Sequence, residues 1–258
     1  MAGKHTVRAR SVCLYAGIVL LLIVVPSSSQ AWEVSAGYQS DNHGQYFSYV
    51  NGRATVSTPT AGLPFEPIVQ LFAFRQRFFS KEEGHLLEAH LNQVAPSVGI
   101  TKKIADLEIS ASAGAALRET QEQTVEGEKE TTKDLGYMVN AEASYWMDND
   151  GFEGIVSYTN LQDFFFGRAR WKHIASKTEE EHSIKLNPGL EMQALGNSDF
   201  QAIVVGGLLE TEVGNLVLLL KGGYQYDTTF RSGEYGGIEL YLPGPSPIPS
   251  QSRPLCTV

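Results

Sequence analysis

Arg168, Arg170 and Lys172 alternate with Gly167, Ala169 and Trp171, so an extended chain projects all three cations to one side. Such a row can bind or steer an anionic or sugar ligand, or it can pair with carboxylates across a narrow interior and fill it. The filling role is favoured. Lys185, Glu191, Glu142 and Glu108 are expected to point the same way from other segments, as further candidate lumen-lining residues.

Residue types that usually carry catalysis are present without the spacing that catalysis needs. His43, His85, His90, His173 and His182 lie in different segments, without the carboxylate or cysteine company of a zinc site. His85 and His90 are five positions apart, which puts them on opposite faces of a strand. There is no Gly-x-Ser-x-Gly elbow, phosphate-binding loop or dinucleotide fingerprint. A lipid-modifying barrel would need a Ser and His set, and none assembles without arbitrary choice. No catalytic, cofactor-binding or metal-binding residue is nominated, and the chain is not read as an enzyme.

The elements that must position the charged row follow from bulk composition and from pattern. The chain has 258 residues, 42% hydrophobic and 19% charged, enough for one large domain and too few apolar residues for a bundle of membrane helices. A net charge of −9 and a pI near 5.2 exclude a nucleic-acid surface, which needs clustered Lys and Arg. Cys13 and Cys256 stand near opposite ends of the chain, so no disulfide framework is expected.

Residues 1–31 read as a signal peptide. Lys4, Arg8 and Arg10 make a positive start, Val12–Val25 an apolar stretch, and Ser29-Gln30-Ala31 a small-x-small cleavage site. The apolar stretch is shorter than the ~20 residues of a membrane-spanning helix, and Pro26 with the serines after it also favours cleavage over anchoring. The expected destination is the outer membrane of a Gram-negative bacterium, after cleavage near Ala31.

Residues 32–242 repeat a single pattern of alternating apolar and polar positions in about twelve segments, separated by Gly, Asn, Asp, Ser or Pro. In the clearest, Ile109, Ala111, Ala113, Ala115 and Leu117 oppose Glu108, Ser110, Ser112, Gly114 and Arg118. Leu135–Met147 and Ser183–Leu195 repeat it. Asp148-Asn149-Asp150-Gly151 and Gly196-Asn197-Ser198-Asp199 read as tight hairpin turns, which make neighbours antiparallel. The mixed-charge stretch Glu119–Asp134 reads as a solvated external loop, and Thr58–Pro67 as a long link at the opposite end. Residues 243–258 are rich in Pro and are expected to be disordered outside the domain.

Alternation alone fits a soluble barrel, a sandwich or a membrane barrel. Three features select the last. The segments are as long as the ~9–11 residues of a tilted transmembrane strand. The apolar faces carry small residues such as Ala111, Ala113, Ala141, Gly206 and Gly222, which would underfill a close-packed core. Aromatic residues, among them Trp32, Tyr145, Trp146, Phe152, Phe200, Tyr235 and Tyr241, gather near segment ends like the girdles of a membrane barrel. The expected fold is all-β, a single transmembrane antiparallel up-and-down β-barrel.

Two stretches add a resemblance. Tyr46-Phe-Ser-Tyr-Val-Asn-Gly-Arg-Ala and Gly223-Tyr-Gln-Tyr-Asp-Thr-Thr-Phe-Arg-Ser-Gly-Glu-Tyr-Gly-Gly, with the order of segments over residues 32–242, resemble the cellulose biosynthesis protein BcsS family. The resemblance implies an outer-membrane barrel encoded with bacterial cellulose-synthesis machinery, with no assigned catalytic residues. The function it implies is that of an accessory of exopolysaccharide, including cellulose, biosynthesis or secretion. Its partners would be outer-membrane lipid and polysaccharide or cellulose-secretion components. A porin-like small-solute channel and a soluble periplasmic ligand-binding barrel are the alternative readings. The Glu119–Asp134 stretch and the Pro-rich tail depart from the family pattern.

Overall fold

The computed structural model describes residues 29–56, 64–82, 85–123, 127–174 and 185–244. The reading of residues 1–31 as an export signal falls almost wholly outside them, as does the tail from 245 and most of the Thr58–Pro67 link.

Twelve strands follow one another: β1 (Ser29–Asp41), β2 (Tyr46–Val56), β3 (Glu66–Glu82), β4 (His85–Ile104), β5 (Leu107–Gln123), β6 (Lys129–Met147), β7 (Asp150–Thr159), β8 (Phe164–His173), β9 (Lys185–Gly196), β10 (Gln201–Val213), β11 (Leu216–Asp227) and β12 (Gly233–Pro243). Each pairs antiparallel with its sequence neighbours, and β12 returns to β1 in a ladder from Glu33 opposite Pro243 to Asp41 opposite Tyr235. Closure leaves no unpaired sheet edge, which is what allows strands to cross a medium without water. One 3-10 turn, Leu161–Asp163, is the other regular element among the described residues. β1 begins at Ser29, but its register with β2 is irregular until Ala31 and regular from there.

The two faces of this wall are inverted relative to a soluble protein. Leu135 is 72% exposed and Val98 67%, whereas Asn51 and Gln93 are each 1% exposed. On β6 the alternation places Leu135, Tyr137, Val139, Tyr145 and Met147 outside and Asn140 and Ser144 inside. β10 repeats it with Ile203, Val205 and Leu209 outside and Glu210 inside. A continuous apolar exterior of this extent has no stable partner in water, and acyl chains are the solvent it matches. The barrel is transmembrane.

Aromatic residues outline the apolar band. Tyr145, Phe152 and Trp171 lie side by side across β6, β7 and β8. Tyr137, Tyr158 and Phe165 form a second row, near the other ends of β7 and β8 and midway along the longer β6. Six to eight residues separate the two rows, about 20–27 Å along the strand at ~3.4 Å per residue, or roughly 15–21 Å of height at the ~40° tilt of such strands, within the ~25 Å band of such barrels. The girdle expectation holds only in part, because Phe200, Tyr235 and Tyr241 are buried inside at 5–6% exposure. Gly206 is also an inward residue, since a Cβ there would lie 2.3 Å from the Tyr235 hydroxyl.

The sequence reading of Glu119–Asp134 as a loop is corrected. β5 runs to Gln123 and β6 begins at Lys129, paired from Arg118 opposite Asp134 to Gln123 opposite Lys129. The pairs are compatible with a ladder: Glu119 meets Lys133 at 3.5 Å, and Thr120 faces Thr132. β3, β4, β5 and β6, at 17, 20, 17 and 19 residues, are longer than their neighbours and form a wall that rises beyond the aromatic row. Beyond the lipid both faces of a strand can be polar, so period-2 alternation ends while the strand continues.

Candidate functional site

The interior divides into two levels. The half nearer the N-terminus of β1 is filled by charged side chains, and the half nearer the β1–β2 turn holds a chamber.

The charged level is built from inward positions on strands that are neighbours only because the barrel closes. Arg170 on β8 donates from Nε to Glu191 on β9 at 2.6 Å and from Nη2 to Glu239 on β12 at 2.7 Å. Lys221 on β11 meets Glu239 at 2.8 Å and Glu191 at 3.3 Å. Arg168 reaches Glu239 at 3.6 Å. Lys172 donates to Glu153 on β7 and Glu210 on β10, both at 2.7 Å, and Asn187 donates to the other Glu210 oxygen at 3.2 Å. Arg53 crosses from β2 to Glu108 at 3.2 Å and Glu142 at 3.4 Å on the opposite wall, and meets Glu33 beside it at 3.7 Å.

Charges this deep are tolerated only when paired, because desolvating an isolated one costs several kcal/mol. Among the described residues, five cations here meet seven carboxylates, so the network they form offers an anionic ligand no uncompensated positive charge.

The sequence-nominated residues divide as follows. Arg168, Arg170, Lys172 and Glu191 are in the main cluster, and Glu142 and Glu108 are in the Arg53 cluster. Lys185 opens β9 opposite Glu212, and its side chain lies outside the described residues. Arg53, Glu33, Glu153, Glu210, Lys221 and Glu239 were not singled out by sequence reasoning. Strand parity carried a signal for some of them: Glu239 alternates with Gly237 and Tyr241 on the inner face of β12.

Above the charges lies a chamber whose empty space, with the solvent at its open end included, is about 1120 Å³. One wall is aromatic. Phe47 and Tyr49 of β2 and Phe72 and Phe74 of β3 form a continuous patch with ring centroids 5.5–6.1 Å apart. Phe166 and Phe200 line it from the other side of the barrel. Gly37 on β1 makes room for this patch, because a Cβ there would lie 2.3 Å from the Tyr49 ring. Between the rings sit amides. Gln70 is held by Asn51 at 3.0 Å and Ser112 at 3.1 Å, and Gln193 reaches Gln39 at 3.4 Å.

The mouth is tied by side-chain bonds between turns. The buried Asp227 carboxylate accepts from the amides of Thr229 at 2.8 Å and Phe230 at 2.7 Å, and from Gln45 of the β1–β2 turn at 3.1 Å. On the opposite side the 3-10 turn folds inward. Leu161 packs with Ala95, Ala116 and Met138, and its carbonyl accepts from Arg118 at 2.7 Å. Gly136 permits this approach, since a Cβ there would lie 2.3 Å from Asn160 Oδ1.

Among the described residues the histidines are dispersed. His43 stacks on Phe230 at 4.3 Å, His90 meets Glu88 at 2.8 Å, and His173 meets Asp150 at 3.1 Å.

The model of the family described as cellulose biosynthesis protein BcsS matches residues 74–243. That span contains the second of the two stretches that carry the resemblance and begins after the first. Among solved structures, the translocator domain of the autotransporter NalP from Neisseria meningitidis is similar at 14% identity, covering 91% of this chain and 96% of that one, with a TM-score of 0.48. The transport unit of the autotransporter AIDA-I from Escherichia coli is similar at 10% identity, covering 88% and 96%, with a TM-score of 0.45. The NanC porin is similar at 11% identity, covering 82% and 99%, with a TM-score of 0.37. No curated protein sequence matches the chain.

Proposed function

Since the chain belongs to the cellulose biosynthesis protein BcsS family, we propose that it is an outer-membrane accessory of exopolysaccharide, specifically cellulose, biosynthesis or secretion, acting as a scaffold or docking point rather than as an open pore or an enzyme. In this reading the N-terminal end of β1 faces the periplasm, and the long β3–β6 wall faces the cell exterior. Outer-membrane lipid surrounds the barrel, and components of the secretion machinery are its protein partners.

The observation that carries the reading is the paired network around Arg170. It joins β8 to β12 across the interior with contacts of 2.6–2.8 Å, so paired side chains occupy the space that a glucan chain would have to cross at that level. A general small-solute channel would need a hydrated path where these side chains stand.

Planar-bilayer recording of the refolded mature protein tests this directly. The reading expects no unitary conductance from the wild type at neutral pH, together with reduced cellulose export on deleting the gene. Stable, ion-selective conductance steps would favour the channel reading.

A further inference from the structure

The chamber above the charged network has walls of two kinds, and together they specify a ligand. We propose that it is a binding site for the end of a neutral, β-linked glucan chain, an assignment that rests on the cellulose-accessory reading. A pyranose ring in such a chain presents C–H groups on its flat faces and hydroxyls around its rim. Aromatic rings offer the negative face of their π-system to the C–H groups, and amides offer both a donor and an acceptor to the hydroxyls.

Phe166 and Phe200 line the same chamber as the Phe47, Tyr49, Phe72 and Phe74 patch, and Phe200 meets Phe78 of β3 at 5.8 Å, so aromatic surface is offered to a sugar ring from more than one strand. Gln76 lines the same space at 7% exposure with no hydrogen-bond partner among the described residues. Its side-chain amide can donate to one sugar hydroxyl and accept from another. Charge argues against an acidic sugar. Of the two arginines that line the chamber, Arg168 at the floor is already near Glu239 and Arg77 is paired with Glu88 at 2.8 Å, while Asp41 at the rim is bonded by Gln45 and Gln225.

Isothermal titration of the detergent-solubilised mature barrel with cellotetraose, maltotetraose and trigalacturonate tests the assignment. Cellotetraose should bind, and the other two should bind at least tenfold more weakly. Phe72→Ala with Phe74→Ala should lower cellotetraose affinity at least tenfold. Gln76→Ala should lower it severalfold while the barrel keeps its heat-modifiable migration, which separates loss of the site from loss of the fold. Absence of cellotetraose binding to the folded wild type, equal binding of maltotetraose, or preference for trigalacturonate would overturn the proposal. If cellotetraose fails to bind but gene deletion still abolishes cellulose export, this inference alone falls. Binding with undiminished export in the deletion strain would retain the site and overturn the accessory reading.

Discussion

Arg170 lies with its guanidinium fully enclosed between Glu191 and Glu239, and those contacts decide what a substitution there does. Arg170→Ala would leave two buried carboxylates sharing Lys221 and Arg168, a loss of the kind that costs ~3–5 kcal/mol. The expected outcome is a lower urea midpoint for unfolding from detergent micelles and the appearance of conductance in a bilayer. Arg75→Ala is the control: Arg75 is exposed, lies 5.9 Å from the Tyr46 ring, and should change stability by no more than ~1 kcal/mol. An equal effect from both would mean that the interior network does not hold the barrel. At this scale the row Arg168, Arg170 and Lys172 is visible in sequence because neighbours two apart share a strand face. Its partners are less visible, since Glu239 lies 69 positions from Arg170 and meets it only through closure of the barrel. The aromatic chamber wall is hidden for another reason. Ile68–Phe74 is apolar at inner and outer positions alike apart from Gln70, so alternation does not tell Phe72 and Phe74 from the lipid-facing Val69.

Elements differ in what medium they meet, and substitutions should report it. Ala141 lies on the exterior of β6 between Tyr137 and Tyr145, where a charged side chain would enter the lipid band. Ala141→Arg should destabilise the barrel by about 2–4 kcal/mol, whereas Thr131→Arg, in the extension of β6 beyond the aromatic row, should be close to neutral. Comparison of their urea midpoints in detergent checks the pair, and similar costs would place the membrane boundary elsewhere. Topology has its own readout. With Cys256→Ser as background, Thr131→Cys should be labelled on intact cells by a membrane-impermeant maleimide. A cysteine at Asn149, in the β6–β7 turn at the other end, should be labelled only after the outer membrane is opened. The strand count and most strand faces are legible from alternation and turns. The β5–β6 extension is not, because mixed charges on both faces look the same in a solvated hairpin as in a loop.

For the whole molecule, a single physical condition organises the rest: the wall closes, its apolar side meets lipid, and its polar side is enclosed. Leu135, Val98 and Tyr224, each at least 67% exposed, are stable in that position only against acyl chains, and the buried charges only against one another. Semi-native gel electrophoresis of the chain from Trp32 onward, refolded in detergent and loaded with and without boiling, tests this condition most directly. The structure requires a compact, fast-migrating band that shifts to the position of the unfolded chain on heating, and no folded species without detergent. A chain that stays folded and monodisperse in plain buffer, with a single band whether heated or not, would contradict it.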